Sequence, residues 1–331
     1  MNSEDPLSRR DFLAASSIAL GAAAVVGAEA SAAAPPAKLA LHGGEKAVVE
    51  RLPKHIRWGA PEKERLDAMI GQDTLFYWKG PQTTLLLERF RKICPLPHAT
   101  SCSSGTAALH IAVAAAGIAP GDEVITSPIT DIGTVIGVLY QQAVPVFADL
   151  GRDTYNLDPQ DVERRITPRT RAIIAVHLAG NPCDLGALKE LADRRKLVLI
   201  EDCAQAWGAR RGGKPIGTEG DFACFSLQNS KQVTCGDGGL VASGDPTFGP
   251  RLQQFGDKGM DRLASGGLFE TFATNYRMSE PQAAVAAAQM ERVESIAEAR
   301  SRLGRILNDE LAGVAGVDRP RVRDEDRCSF W

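Results

Sequence analysis

Aromatic residues are scarce in this chain of 331 residues, at 6% of the total. A core must therefore be built mainly from aliphatic and alanine side chains. No long basic run occurs and the formal net charge is −3, which argues against nucleic acid as the main partner. The seven cysteines are odd in number and contain no C-x-x-C, which excludes a disulfide framework and the usual zinc spacings. The five histidines form no H-E-x-x-H pair. No apolar run is long enough for a comfortable membrane span. What remains is a composition with 44% hydrophobic and 24% charged residues, long enough for one large core and a smaller unit.

The N-terminus reads as a separate object. Ser8-Arg9-Arg10-Asp11-Phe12-Leu13 precedes an apolar stretch from Ala14 to Val26, followed by the small-residue sites Ala28-Glu29-Ala30 and Ala32-Ala33-Ala34. This order is that of a twin-arginine export signal over residues 1–34, and it predicts a periplasmic or secreted protein. Without residues 1–30 the chain holds 36 basic and 37 acidic residues, close to neutral.

Beyond an irregular lead-in over 35–60, helices and apolar strands alternate. Glu62 to Ile70 can form a helix, and Leu85, Leu86, Phe90 and Ile93 fall at helical spacing within Thr83 to Ile93. A helix is expected from Thr106 to Ala116, then a strand Glu123–Thr126 and a helix Thr134–Tyr140. A strand at Val144–Ala148 carries Pro145, which restricts it to an edge or a first position. Asp158-Pro159 opens a helix to Ile166, and Ala172–Val176 is a wholly apolar strand. A helix from Asp184 to Arg194 precedes the apolar strand Leu197–Ile200, and strands at Phe222–Ser226 and Gly239–Ala242 complete the set. Ser279-Glu280-Pro281-Gln282 has the capping-box pattern and predicts one long helix to about Ile306. Continuous apolar strands between helices are strands buried on both faces, hence an α/β fold with a mostly parallel sheet.

Three short segments carry the chemistry. Ser104-Gly105-Thr106 opens a helix, where free N–H groups suit a phosphate, although Ser and Thr are also ordinary helix caps. Asp202 ends a strand, where ligands of open α/β sheets bind; Gln205 follows three residues later. An Asp there is also an ordinary turn residue. Lys231 follows the strand ending at Ser226 and precedes the turn Gly236-Asp237-Gly238-Gly239. A lone Lys is most often a solvated charge. Together, an amine, an acid and an anion cradle are what pyridoxal phosphate needs from a protein.

The order and spacing of these segments resemble the DegT/DnrJ/EryC1/StrS family of pyridoxal-phosphate aminotransferases. The similar stretches include Ser104-Gly-Thr-Ala-Ala-Leu109, Gly121-Asp-Glu-Val-Ile125, Val176-His-Leu-Ala-Gly180, Glu201-Asp-Cys-Ala-Gln205, Phe225 to Lys231 and Asn275-Tyr-Arg-Met278. The resemblance covers roughly residues 40 to 300. It implies the type I aminotransferase fold, with a large cofactor-binding domain over 35–270 and the start of an incomplete small domain over 271–331. It implies that Lys231 binds the cofactor aldehyde and that Asp202 pairs with the pyridine nitrogen. Gln205 would meet the ring hydroxyl side, and Gly105, Thr106 and Ser226 would hold the phosphate. Asn275 would reach the phosphate of a neighbouring subunit in a homodimer with shared sites. The implied reaction moves an amino group from glutamate or glutamine to a nucleotide-linked keto-sugar or a keto-cyclitol.

Two features depart from the family pattern. Asp131 stands at or near the position of an aromatic residue that covers the cofactor ring, and the run Cys328-Ser329-Phe330-Trp331 stops in mid-pattern. Specificity is expected from surface loops, including Trp58 to Gly59 and Tyr77 to Gly80, and from the part of the family pattern that follows Trp331. His177 lies in a family motif but reads as a satisfied core histidine. Two competing functions follow: elimination on the same cofactor, which relatives carry out with His in place of the Lys, and an exported binding or regulatory protein on a degenerate scaffold.

Overall fold

Seven strands form a single sheet in the order β1-β9-β8-β5-β4-β2-β3. These are β1 (His98–Cys102), β2 (Glu123–Thr126), β3 (Val144–Phe147), β4 (Thr170–Val176), β5 (Val198–Asp202), β8 (Phe222–Ser226) and β9 (Gly239–Ser243). A short hairpin, β6 (Arg210–Arg211) with β7 (Lys214–Pro215), lies apart from it. From β8 to β3 all pairings are parallel, while β9 runs antiparallel to both β8 and β1. As Pro145 predicts, β3 is an edge strand. The structure, a computed structural model, describes residues 38–51, 56–262, 269 and 271–331. The expected export signal lies outside them. The described residues fall into two units, one up to Ile56 and one from Arg57 to Trp331. In the first, Ala40–His42 form one 3-10 turn closed by Gly43 in the left-handed region.

Helices cover both faces of the sheet. They are α1 (Ala60–Ile70), α2 (Pro81–Ile93), α3 (Gly105–Ala115), α4 (Gly133–Tyr140), α5 (Pro159–Arg165) and α6 (Leu185–Arg195). Three more follow: α7 (Gly249–Gly256), α8 (Glu280–Met290) and α9 (Val293–Glu310). Asp158 and Asp184 cap α5 and α6 with their side chains, as the sequence pattern predicts. Successive strand residues point to opposite faces. Ala172 and Ile174 of β4 pack with the alanines of α3, while Ile173 and Ala175 pack with Leu185, Leu188 and Ala192 of α6. Three of the aromatics cluster: the ring centroids of Phe90, Trp207 and Phe225 lie within 6.1 Å of one another, Phe90 edge-on to the other two. Among the described residues, no helix is long and apolar enough to cross a membrane.

Helix α2 starts at Gly80-Pro81 with no side-chain cap of its own. Its orphan N–H groups are met instead by Glu280, wholly buried at the start of α8. Its Oε2 accepts from Gln82 N at 2.9 Å, and its Oε1 accepts from Thr83 N at 2.8 Å and Thr83 Oγ1 at 2.6 Å. A Cβ at position 80 would stand 2.3 Å from that carboxylate, so the close approach requires glycine.

The long helix expected from Ser279 to Ile306 is two helices, broken at Glu291-Arg292. Arg292 donates to Glu62 and to the carbonyl of Arg57, and Gln289 donates to the same two residues. The break turns the chain so that Val293 and Ala297 bury against Gly208. Helical propensity alone could not reveal this tertiary demand.

Candidate active site

Parallel pairing brings the carboxyl ends of β5 and β8 to the same edge, because Asp202 faces Cys224 in register. Gly239 of β9 pairs with Cys102 on one side and Ser226 on the other. The start of α3 is thereby drawn onto Ser226. A Cβ on Gly105 would lie 2.6 Å from Ser226 Cβ, so only glycine permits this contact. Ser104 caps α3 by accepting from Ala107 N at 3.0 Å. The N–H groups of Gly105 and Thr106 are left facing a cleft, beside the hydroxyls of Thr106 and Ser226.

That cleft measures about 360 Å³, and its walls include Gly105, Thr106, Asp131, Thr134, Asp202, Gln205, Ser226, Lys231 and Trp331. Six of the seven residues singled out from the sequence therefore share one cavity. Asn275 is the exception: it is exposed, lies outside the cleft walls and pairs with Asp257 across an isolated bridge.

Asp202 is buried at the end of β5. Its Oδ2 accepts from Thr134 Oγ1 at 2.8 Å and its Oδ1 accepts from Ala204 N at 3.1 Å. Thr134 is in turn bonded to Thr130 at 2.6 Å. Burial pushes the Asp202 carboxyl above its ordinary value, against the opposing pull of the Ala204 N–H, the Thr134 hydroxyl and the charge of Lys231. Across the cleft, burial holds the Lys231 amine below the ordinary lysine value, opposed by Asp202 and Asp131. A cation placed beside Asp202 would relieve its desolvation, and a partly desolvated amine is the more nucleophilic one.

Gln205 is fixed by its own oxygen. Its Oε1 accepts from Ala179 N at 2.8 Å, which leaves the amide NH2 as the donor for a ligand. Gln232 Nε2 donates to the Gln205 carbonyl at 2.7 Å, tying this turn to the lysine loop.

Some supports escape sequence reasoning. Arg57 donates to the carbonyls of Asn229, Lys231 and Gln232, clamping the loop that presents the lysine. Trp207 Nε1 donates to the carbonyl of Ser226 at 2.7 Å. Thr134 and Trp331 were likewise unmarked by any local pattern. Trp331 donates its indole N–H to Ser230 O at 3.2 Å, and Lys231 Nζ lies 4.2 Å from its ring centroid.

His177 is a satisfied core histidine. Its Nδ1 accepts from Cys183 N at 3.0 Å, so Nε2 carries the proton and donates to Glu201 at 3.1 Å. Glu201 also accepts from the backbone N–H groups of Gly217, Glu219 and Gly220. Cys203 lies close to this pair, but the hydrogen bonds already occupy the atoms that would bind a metal. All seven cysteines are free, and six of them are buried.

The residues fit pyridoxal phosphate on three counts. The helix start and Ser226 form a cradle for one anion, Asp202 is a buried acid in need of a cation, and Lys231 is a half-buried amine on the same cleft. Comparison with known proteins agrees. The DegT/DnrJ/EryC1/StrS aminotransferase family matches residues 59–331, and the chain belongs to it. GDP-perosamine synthase of Caulobacter vibrioides is 40% identical over 243 residues, which are 73% of this chain and 65% of that protein. The chain thus spans just under two thirds of that relative's length. L-glutamine:2-deoxy-scyllo-inosose aminotransferase of Micromonospora echinospora is 38% identical over 301 residues, covering 86% of this chain and 70% of that protein. Among solved structures, NtdA of Bacillus subtilis with the cofactor PMP bound superposes with a TM-score of 0.74 at 25% identity, covering 81% of this chain and 61% of that one.

Proposed function

We propose that this chain is a pyridoxal-phosphate-dependent aminotransferase that moves an amino group from glutamate or glutamine to a keto-sugar or keto-cyclitol. One observation carries the reading: the Lys231 amine, the buried Asp202 carboxylate and the open start of α3 line a single cleft. The two curated relatives, one a nucleotide-sugar enzyme and one a cyclitol enzyme by name, support the substrate class.

Pyridoxal phosphate, when bound, supplies an electron sink that stabilises negative charge at the carbon bearing the amine. The N–H groups of Gly105 and Thr106, with the hydroxyls of Thr106 and Ser226, hold its phosphate. Asp202 keeps a proton on its pyridine nitrogen, and the Thr134 and Ala204 bonds fix the carboxylate for that task. Gln205 donates to the ring oxygen. Lys231 Nζ would hold the cofactor through its aldehyde carbon, and as an amine on the same cleft wall it would serve as the acid and base for proton transfer.

The site is completed by a second copy in this reading. Asn275 is exposed and lies outside the walls of its own cleft, which leaves it available to a neighbour's phosphate. Ile129, Ile132, Leu139 and Tyr140, beside the cleft mouth and along α4, are all more than half exposed and form a surface suited to that contact. Export by the twin-arginine route, proposed from Arg9-Arg10 and the apolar run behind them, would carry the folded protein with its cofactor already bound.

Adding glutamate to the purified protein tests the reaction. Release of 2-oxoglutarate with conversion of the cofactor to its amine form is expected from the wild type and is lost in Lys231→Ala. No 2-oxoglutarate from glutamate, and no corresponding product from glutamine, would remove the assignment.

A further inference from the structure

The segment that ends in Trp331 is seated against the cleft by a series of hydrogen bonds. Ser329 N donates to Gly180 O at 3.0 Å, and Trp331 N donates to Ala179 O at 2.9 Å. Arg300 Nε donates to Phe330 O at 2.7 Å. Two further bonds tie this segment to the lysine loop itself. Gln232 Nε2 donates to Ser329 Oγ at 3.2 Å, and the Trp331 indole N–H donates to Ser230 O at 3.2 Å. The residues on either side of Lys231 thus fix where the indole stands.

Lys231 Nζ lies 4.2 Å from the centroid of that ring. Asp131 and Asp202 share the cleft with it, yet among the described residues neither forms an ion pair with Lys231. Both carboxylates have other partners: Asp202 accepts from Thr134 and Ala204, and Asp131 Oδ1 accepts from Gly133 N at 2.8 Å. An aromatic face stabilises an ammonium group without being able to take its proton, which a carboxylate could do. The difference matters at one stage of the reading above, on which this inference rests. While the cofactor is in its amine form it offers no aldehyde, so Lys231 stands free, and Asp202 is engaged with the pyridine nitrogen.

We propose that Trp331 is a positioning residue for the free lysine: its indole face holds the Lys231 ammonium whenever the cofactor is in its amine form. Bonding to the aldehyde carbon takes the unprotonated amine and expels water, so the ammonium first gives its proton to solvent and leaves the face. The contact therefore favours the amine form of the loaded protein over the aldehyde form. It also keeps a protonated amine on the cleft wall, where it is ready to serve as an acid.

The test is equilibrium binding of pyridoxal phosphate and pyridoxamine phosphate to the cofactor-free protein. Pyridoxamine phosphate has the same ring and phosphate but no aldehyde, so Lys231 stays free in its complex. The ratio of the two affinities cancels the contacts that both probes make, and a merely damaged wall weakens both alike. Trp331→Leu should shift this ratio about three- to tenfold in favour of pyridoxal phosphate. Trp331→Phe keeps an aromatic face and loses the bond to Ser230; its ratio should stay within about twofold of the wild type. In a Lys231→Ala background the ratio should no longer respond to Trp331→Leu. Should Trp331→Leu fail to fold, the wild type still decides. With pyridoxamine phosphate bound, one tryptophan indole N–H resonance should move with pH, and that movement should be absent in Lys231→Ala. An unchanged ratio in Trp331→Leu, an equal shift in Trp331→Phe, or no indole resonance that answers to Lys231 would overturn the positioning role while leaving the cofactor assignment standing. A wild type that takes up no pyridoxal phosphate would overturn both.

Discussion

The guanidinium of Arg57 donates to the backbone carbonyl of Lys231, 174 residues away in sequence. The same side chain holds the carbonyls of Asn229 and Gln232, so one cation spans the turn that presents the amine. Arg suits this task because its planar fork makes several hydrogen bonds in a fixed geometry.

Removing that clamp should loosen the lysine without removing it. Arg57→Ala is expected to weaken retention of pyridoxal phosphate about tenfold or more, from the loss of charge-assisted hydrogen bonds to carbonyls left unsatisfied. Arg57→Lys should recover only part of it, since an ammonium is a point donor. Dialysis followed by fluorescence titration of the cofactor measures this; unchanged retention in Arg57→Ala would show that the loop holds itself.

Asp202 should cost the empty protein stability at neutral pH. Its folded carboxyl is raised above the unfolded value by burial, so its favourable contribution is full below the unfolded value and is lost as pH rises through the folded one. Asp202→Asn keeps partners for Ala204 N and Thr134. The cofactor-free variant should therefore melt at the same temperature as the wild type or higher at pH 7, with the gap closing towards pH 4. With cofactor the order reverses in activity: kcat should fall by about 10²–10⁴, the range for a mispaired acid or base. Paired melting curves across pH check the first half.

Glu280 joins two helices through α2's own backbone. Glu280→Ala leaves Gln82 N, Thr83 N and Thr83 Oγ1 without their acceptor in a buried place. A loss of about 2–4 kcal/mol is expected. Denaturant midpoints at constant slope would measure it, and a loss below about 1 kcal/mol would mean that water replaces the carboxylate.

How legible the molecule is from its sequence depends on the range of the interaction. Strands β2 and β8 stand where their apolar runs place them, and Pro145 marks an edge, because these signals are local. Ser104, Asp158 and Asp184 announce helix starts by the chemistry of their own side chains. Lys231, Asp202, Gln205 and the Gly105 turn were found by their order and spacing. The contacts of Arg57, Glu280 and Trp331 are not legible in this way, since each acts on a partner about 100 to 200 residues distant. The break at Glu291-Arg292 escaped for the same reason: Arg292 answers to Glu62, not to its own helix.

The central claim is that one amine, Lys231, holds a pyridoxal ring whose nitrogen faces Asp202. Reduction of the purified protein with borohydride, digestion and mass analysis tests it most directly. The account predicts the mass of a reduced pyridoxyl phosphate on the peptide containing Lys231, and none in Lys231→Ala. A label on another lysine, or none after incubation with excess pyridoxal phosphate, would contradict it.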